Sequence, residues 1–314
     1  LVKNENYWNG TPHLDTIYVK TITDGDTMTM AMQSGELDAA YGLPYASLPL
    51  FENEPYTISS CETSRSFFAQ MNYATEALQD DNVRAAIASA IDKENFTSVL
   101  LDGNGAAAVG PFPESFTFGD TTVTAETYDP AKAKELLKNA GWTDTDGDGY
   151  VDKNGKKLTI RWVTYPSRQE LPLLAESVQA TMKDIGIDVQ VNSTANYQDY
   201  LDKGDWDIFA GAFVSAPTGD PEYFFTTHCL DSSTKNRGGY HSDALEALEK
   251  QMAVTFDPTE RASLATQMTQ TILDEHAFVF ASHLKMSMVS GKGVSGLVAH
   301  PSDYYEITAD LDKE

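Results

Sequence analysis

Apolar side chains recur three and four positions apart along several stretches of the chain, and short runs of β-branched and aromatic residues lie between them. Asp129-Pro130 supplies an N-cap and an N1 proline, KAKELLKNA carries the helical period, and Gly141 follows as a C′ residue, so a helix is predicted over 130–140. Asp257-Pro258-Thr259-Glu260 repeats that grammar ahead of RASLATQMTQTILDEH, with Glu260 at the capping-box position. Further helices are predicted at 83–101, 172–186 and 243–253 from the same spacing. The strand-like runs are LTIRWVT (158–164), IDVQVNS (187–193), WDIFAGAF (206–213) and AFVFAS (277–282). Helix and strand alternate from 129 to 213, which predicts an α/β layer architecture. Residues 1–60 differ: IYVKTI and ELDAAYG flank a short helical stretch, PYASLPLFENEP is loop-rich, and a separate substructure is expected there.

Composition narrows the function classes. With 314 residues, 41% of them hydrophobic and 22% charged, the chain is long enough for two globular domains. Forty-seven acidic residues against 22 basic ones give a formal charge of −25, spread along the chain, which argues against nucleic acid or an anionic lipid surface as a partner. Cys61 and Cys229 form no CxxC pair; they are read as two free thiols, with one disulfide as the alternative in an exported protein. No apolar run is long enough to span a membrane, and no basic segment followed by an apolar one opens the chain. No GxSxG, Walker loop, GxGxxG after a strand, HExxH or CxxC occurs, and the six histidines show no chelating spacing, so catalysis is not expected and no cofactor is required.

One stretch raises a metal. In DTDGDGYVDKNG, Asp144, Asp146 and Asp148 fall at alternate positions, Gly149 follows, and Asp152 comes four beyond Asp148, as in a calcium loop. The twelfth position is Gly155 where such loops carry a bidentate Glu, and a strand rather than a helix leads out. Asn154-Gly155 signals a type I′ hairpin turn between YVDK and KKLT. Two readings stand: a solvated turn, or a weakly bound structural calcium. The latter would support a calcium-dependent adhesion module at a cell surface. Aromatic side chains concentrate in DPEYFFTTH (220–228) and HPSDYYEI (300–307), proline-marked segments expected to be loop-like, either as buried packing or as pocket walls.

Taken together, KNENYWNGTPHLDTIYVKTI, TMAMQSGELDAAYG, the NVRAAIASAIDK run at 82–93, YDPAKAKELLKNAGW, WDIFAGAF, GDPEYFF and NRGGY resemble the extracytoplasmic solute-binding proteins of peptide and nickel ABC importers, across nearly the whole chain. The resemblance implies an α/β, periplasmic-binding-protein-like lobe of class II with a partial second lobe. Residues 1–65 would be partial lobe I and hinge, 66–286 lobe II, and 287–314 the return to lobe I. It implies a signal sequence and most of lobe I ahead of Leu1, an extracytoplasmic location in the periplasm or on a lipid anchor, and a monomer that delivers a small solute to permease subunits. Peptide binders of the family hold the ligand's amino terminus with an aspartate three residues before the Asp-Pro that is here Asp220-Pro221. That position is Pro217. SAPTGDP is closer to the nickel-type members, so a nickel chelate is the favoured solute and a short peptide the alternative.

By the same resemblance, pocket residues are expected at Tyr197, at Phe213 and Val214 where the nickel group carries a tryptophan, and at Tyr304 or Tyr305. His228 and His300 are candidate nickel ligands, since imidazole suits Ni²⁺. Asn236 and Arg237 are candidates for a chelator carboxylate, Arg through its bidentate fork.

Overall fold

The computed structural model describes residues 1–314, which divide into two compact units: Leu1–Thr63 with Leu284–Glu314, and Ser64–His283. The strands Thr57–Met71 and Phe278–Ser290 each supply residues to both. No helix is long and apolar enough to cross a membrane.

In the Ser64–His283 unit the predicted alternation becomes a mixed sheet. Thr159–Thr164 lies parallel to Asp188–Ser193 on one side and to Ile208–Val214 on the other, and Ile208–Val214 pairs antiparallel with Arg65–Met71. Helix Glu170–Asp184 connects the first parallel pair and packs on it through Leu171, Leu174, Val178 and Met182. The two proline-started helices form as predicted. Asp129 accepts from Lys132 N ahead of Pro130–Asn139, and Asp257 accepts from Thr259 N and Glu260 N ahead of Pro258–Asp274. Each cap is worth about 1 kcal/mol. The main core gathers Phe68, Phe112, Phe224, Phe225, Phe278 and Phe280 with the apolar faces of helices Asp243–Met252 and Pro258–Asp274.

Three expectations are corrected. The helix expected over 83–101 is broken into Asp81–Ser89, Lys93–Asn95 and a π-helical turn Phe96–Leu100. Asp92 causes the break, because its carboxylate caps a new start at Asn95 N, 3.0 Å away, instead of pointing to solvent from a continuous helix. The strand expected at 277–282 runs on to Ser290, and it is buried almost throughout, so no polar alternation marks its length. The segment 220–228 is not a loop: helix Glu222–His228 occupies it and drives Phe224 and Phe225 into the core, both fully buried. Strand Thr57–Met71, whose first half is rich in Ser and Thr, was not legible at all from periodicity.

In the other unit, helix Gly25–Gln33 starts at Asp24, whose carboxylate accepts from Thr27 N at 2.8 Å. Strand Ala39–Tyr41 pairs antiparallel with Met288–Ser290, and a small core forms around Met32, Leu43, Leu48, Phe51 and Val289. A cavity of about 700 Å³ opens in this unit, with Ile17, Val19, Met28, Leu37, Ala39 and Met288 in its walls. It contains none of the candidate site residues.

Candidate functional site

Three parallel strands end side by side in the Ser64–His283 unit, and an aromatic surface grows from their carboxyl ends. Open α/β sheets bind ligands there, because the loops that leave the strand ends can diverge and open a crevice. Tyr165 follows Thr159–Thr164, Tyr197 follows Asp188–Ser193 after a short turn, and Phe213 lies near the end of Ile208–Val214. Phe209, Gly211 and Phe213 alternate onto one face of their strand, as side chains two residues apart must.

The rings form two stacks. Tyr197 lies on Phe209 with centroids 5.5 Å apart and planes 16° from parallel, and Tyr165 leans on Tyr197 at 4.8 Å. Tyr165 Oη accepts from Ala212 N at 3.0 Å, which ties this stack to the strand, and burial raises its phenol above the usual range. Phe213 stacks on Tyr223 at 5.5 Å and 14°. Cations cover both stacks: Lys235 Nζ lies 4.2 Å from the Phe213 centroid and Arg237 Cζ lies 4.9 Å from that of Phe209. Arg237 also donates to Gln198 Oε1 at 3.3 Å.

His228 sits behind this surface, 4% exposed, stacked on Phe224 at 5.0 Å with the edges of Phe68 and Phe213 against it. Burial, and then the charges of Lys235 and Arg237, push its pKa down to about 3. The imidazole is therefore neutral, and its Nδ1 has no hydrogen-bond partner.

The other expected residues divide by location. Val214 is buried, opposite Arg65 in the ladder, and Pro217 occupies a turn closed by Gly219 N donating to Ala216 O at 3.1 Å. The Asn236 side chain donates to Leu230 O and Tyr240 O and accepts from Tyr240 N, closing its own loop. Asp220 is committed to Arg261 in a bidentate pair at 2.7 and 2.8 Å. His300, Tyr304 and Tyr305 belong to the other unit, where His300 Nδ1 meets Ser302 Oγ at 2.7 Å and its ring stands edge-on to Tyr305 at 5.4 Å. Cys61 and Cys229 are free thiols, the latter fully buried.

The Asp-rich stretch forms the expected hairpin, with Asp152–Lys153 against Lys156–Lys157 and positive φ at both Asn154 and Gly155. Asp144, Asp146 and Asp152 bring carboxylate oxygens within 4.8 Å of one another. Asp148, placed with them from sequence, instead pairs with Lys157 at 2.7 Å. Asp144 accepts from Gly147 N and Gly149 N, and Asp152 accepts from Thr145 N and Oγ1, so the carboxylates already fold the turn.

Sequence reasoning missed Tyr165, Phe209 and Lys235 as members of this surface, and it left Tyr223 within an aromatic run read as either packing or pocket wall. Phe209 was within reach through the two-residue alternation of its strand, and Tyr165 through its place after a parallel strand. The run 220–228 does not say which of its rings faces outward, and Lys235 carries no local signal; each joins the surface by a fold-level contact with Phe213.

The family described as bacterial extracellular solute-binding proteins, family 5 (middle), matches residues 1–236. The chain is 28% identical over 318 residues to the oligopeptide-binding protein AppA of Bacillus subtilis, covering 98% of this chain and 58% of the relative. To the nickel-binding periplasmic protein of Escherichia coli it is 27% identical over 299 residues, covering 92% and 57%. The crystal structure of NikA from Staphylococcus aureus in complex with Ni(L-His)2 has the same fold, with a TM-score of 0.85 at 22% identity over 99% of this chain and 64% of that one. The chain thus spans less than two thirds of the length of these relatives. None of this lends support to a calcium-dependent adhesion module. A mixed α/β sheet with an aromatic surface at its strand ends and a family match across three quarters of the residues lead to one conclusion: the chain belongs to the bacterial extracellular solute-binding proteins of family 5.

Proposed function

We propose that the chain is the solute-recognising part of an extracytoplasmic, non-catalytic binding protein that captures a small solute and delivers it to the permease of an ABC importer. The observation that carries this reading is the paired aromatic stack of Tyr197 on Phe209 and Phe213 on Tyr223, a partly exposed apolar surface with cations at its edge. In this reading 66–286 is lobe II, and 1–65 with 287–314, the stretch that carries Tyr304 and Tyr305, is part of lobe I. Solute contacts made only in a closed form would shift the population toward that form, which the permease then reads. The protein acts as a monomer in the periplasm or at a lipid anchor.

A nickel chelate is the favoured solute. Pro217 stands where a peptide binder of the family carries its amine-holding aspartate, and Asp220 nearby is spent on Arg261. A planar chelate can lie on the aromatic stacks without that carboxylate. A short peptide is the second reading, and one observation favours it: Glu170, whose carboxyl burial raises above its ordinary range, shares the electrostatic neighbourhood of Arg168 and Arg65 with Tyr165 and offers another partner for an amine.

Thermal unfolding with nickel and L-histidine, with a dipeptide mixture, or with neither tests both, because a ligand bound only by the native state raises the midpoint by mass action. A rise with nickel and histidine alone supports the chelate; a rise with dipeptides alone overturns it in favour of the peptide.

A further inference from the structure

Strands Thr159–Thr164 and Ile208–Val214 part before the second one ends. They pair only at Trp162–Ile208 and Val163–Phe209, and beyond that point side chains take over the backbone groups on this edge of Ile208–Val214. Thr164 Oγ1 donates to Ala210 O at 2.9 Å, and Ala212 N donates to Tyr165 Oη at 3.0 Å. On its other side the strand stays in register with Arg65–Met71, Gly211 opposite Phe68. Diverging parallel strands open the crevice in which α/β sheets hold ligands, and Tyr165 bridges it. Gly211 makes room for the bridge. A Cβ there would lie 3.2 Å from the Phe209 ring and 3.8 Å from Tyr165 Cε1, so the bare position lets both rings close over the strand.

The bridge uses only half of the phenol. A tyrosine hydroxyl carries one proton as well as its lone pairs. The bond from Ala212 N occupies an acceptor position, and the Tyr165 proton reaches no acceptor of the protein within 3.5 Å. Other tyrosines that tie segments together differ: the Tyr240 hydroxyl donates to Glu275 Oε2 at 2.6 Å and that of Tyr45 to Lys285 O at 3.4 Å. The bond from Ala212 N also sets where the unused proton lies, since it must turn away from the donating N–H, and Tyr197 at 4.8 Å holds the ring. Burial raises the pKa of this phenol and keeps it protonated, while the charges of Arg168 and Arg65 act in the opposite sense and strengthen it as a donor.

We propose that Tyr165 is a specificity-determining residue whose phenol donates to an acceptor oxygen of the solute when the solute's planar body lies on the Tyr197–Phe209 stack. The inference rests on the solute-binding reading and goes beyond it by naming a chemical requirement: the flat group carries an oxygen acceptor at its edge, and a group of the same shape without one is held less well. An apolar body that covers the unpaired proton takes it from water without return, whereas an oxygen there restores the bond, and this difference is the selectivity. A peptide carbonyl and an oxygen of a metal chelator share this chemistry.

Titration of the full chain with acetophenone and with α-methylstyrene reads the requirement, since the two differ only by a carbonyl oxygen against a methylene group. The ratio of their affinities should fall about fivefold in Tyr165→Phe, and an unchanged ratio overturns the proposal. Thr164→Val removes the neighbouring bridge to Ala210 O and keeps the phenol, so it should leave the ratio as it is; an equal fall there would trace the effect to a loosened strand end and overturn the proposal too. Tyrosine isotope-labelled at Cζ reports the phenol directly by NMR, the Tyr165 resonance being the one missing from Tyr165→Phe. It should move with acetophenone and not with α-methylstyrene at equal concentration. No movement with acetophenone at its solubility limit, or equal movement with both, overturns the donor. Nickel with L-histidine and the dipeptide Ala-Phe then separate the two sources by which of them moves the same resonance. If both bind and neither moves it, the donor is overturned while solute binding stands; a response to acetophenone with neither solute bound supports the donor, and the solute assignment falls by itself.

Discussion

Asp207→Asn tests how the aromatic strand is anchored. Asp207 stands just ahead of Ile208–Val214, 4% exposed, and accepts four bonds: from Arg161 N at 2.7 Å, Nε at 3.0 Å and Nη2 at 2.7 Å, and from Thr75 Oγ1 at 2.7 Å. Burial pushes its carboxyl up, but the bonds from Arg161 and Thr75 outweigh that and hold it below the ordinary aspartate value. A hydrogen bond to a charged group contributes about 1.5–3 kcal/mol net. The Arg161 side chain is 42% exposed, so water screens part of its share, and the amide keeps one acceptor oxygen. The expected loss is therefore about 3 kcal/mol at neutral pH. A carboxyl whose folded pKa is depressed adds stability above its unfolded pKa of about 3.9, and that stability fades as pH falls through the folded value. Urea unfolding followed by the emission of Trp162 and Trp206, both buried in the same unit, measures the difference. The deficit of the variant should shrink below about pH 4. A loss under about 1 kcal/mol at pH 7, or one that does not shrink in acid, refutes the account.

Phe224→Ala should cost about 3–5 kcal/mol in the same assay, and Tyr223→Ala, whose residue is 40% exposed, under about 1 kcal/mol with its effect falling on solute affinity instead; equal losses would contradict the sorting of these neighbours into core and surface. His228, with its pKa lowered to about 3, stays neutral while the unfolded imidazole protonates near 6.5, so stability should decline as pH drops from about 6.5 toward 3, and His228→Phe should flatten that slope. An NMR titration in which the His228 ring protonates near neutral pH would contradict this. Because the turn carboxylates already accept backbone N–H groups and Asp148 is paired with Lys157, millimolar calcium should leave the unfolding midpoint unchanged, and a rise reversed by chelator would show the Asp144, Asp146 and Asp152 cluster closing on the ion.

Local physics made much of the chain legible in advance. Asp129-Pro130 and Asp257-Pro258 set their helix starts because a cap needs only its own turn, and Asn154-Gly155 set the hairpin because positive φ at two consecutive residues is a property of the turn itself. The family resemblance was likewise carried by short motifs spread along the sequence, and Tyr197 and Phe213 came with it. Only the tertiary structure decided which aromatic residues face outward. Phe213 and Tyr223 are partly exposed while Phe224 and Phe225 are fully buried, and no spacing within YFF distinguishes them; the sorting depends on Phe68, Phe112, Phe278 and Phe280 arriving from distant segments. The same holds for charge. Lys235 reads as a surface residue until the fold lays it over Phe213, where burial and the charge of Arg237 lower its pKa, because an electrostatic environment is the sum of groups the chain brings together from everywhere, and sequence spacing encodes only those within one turn.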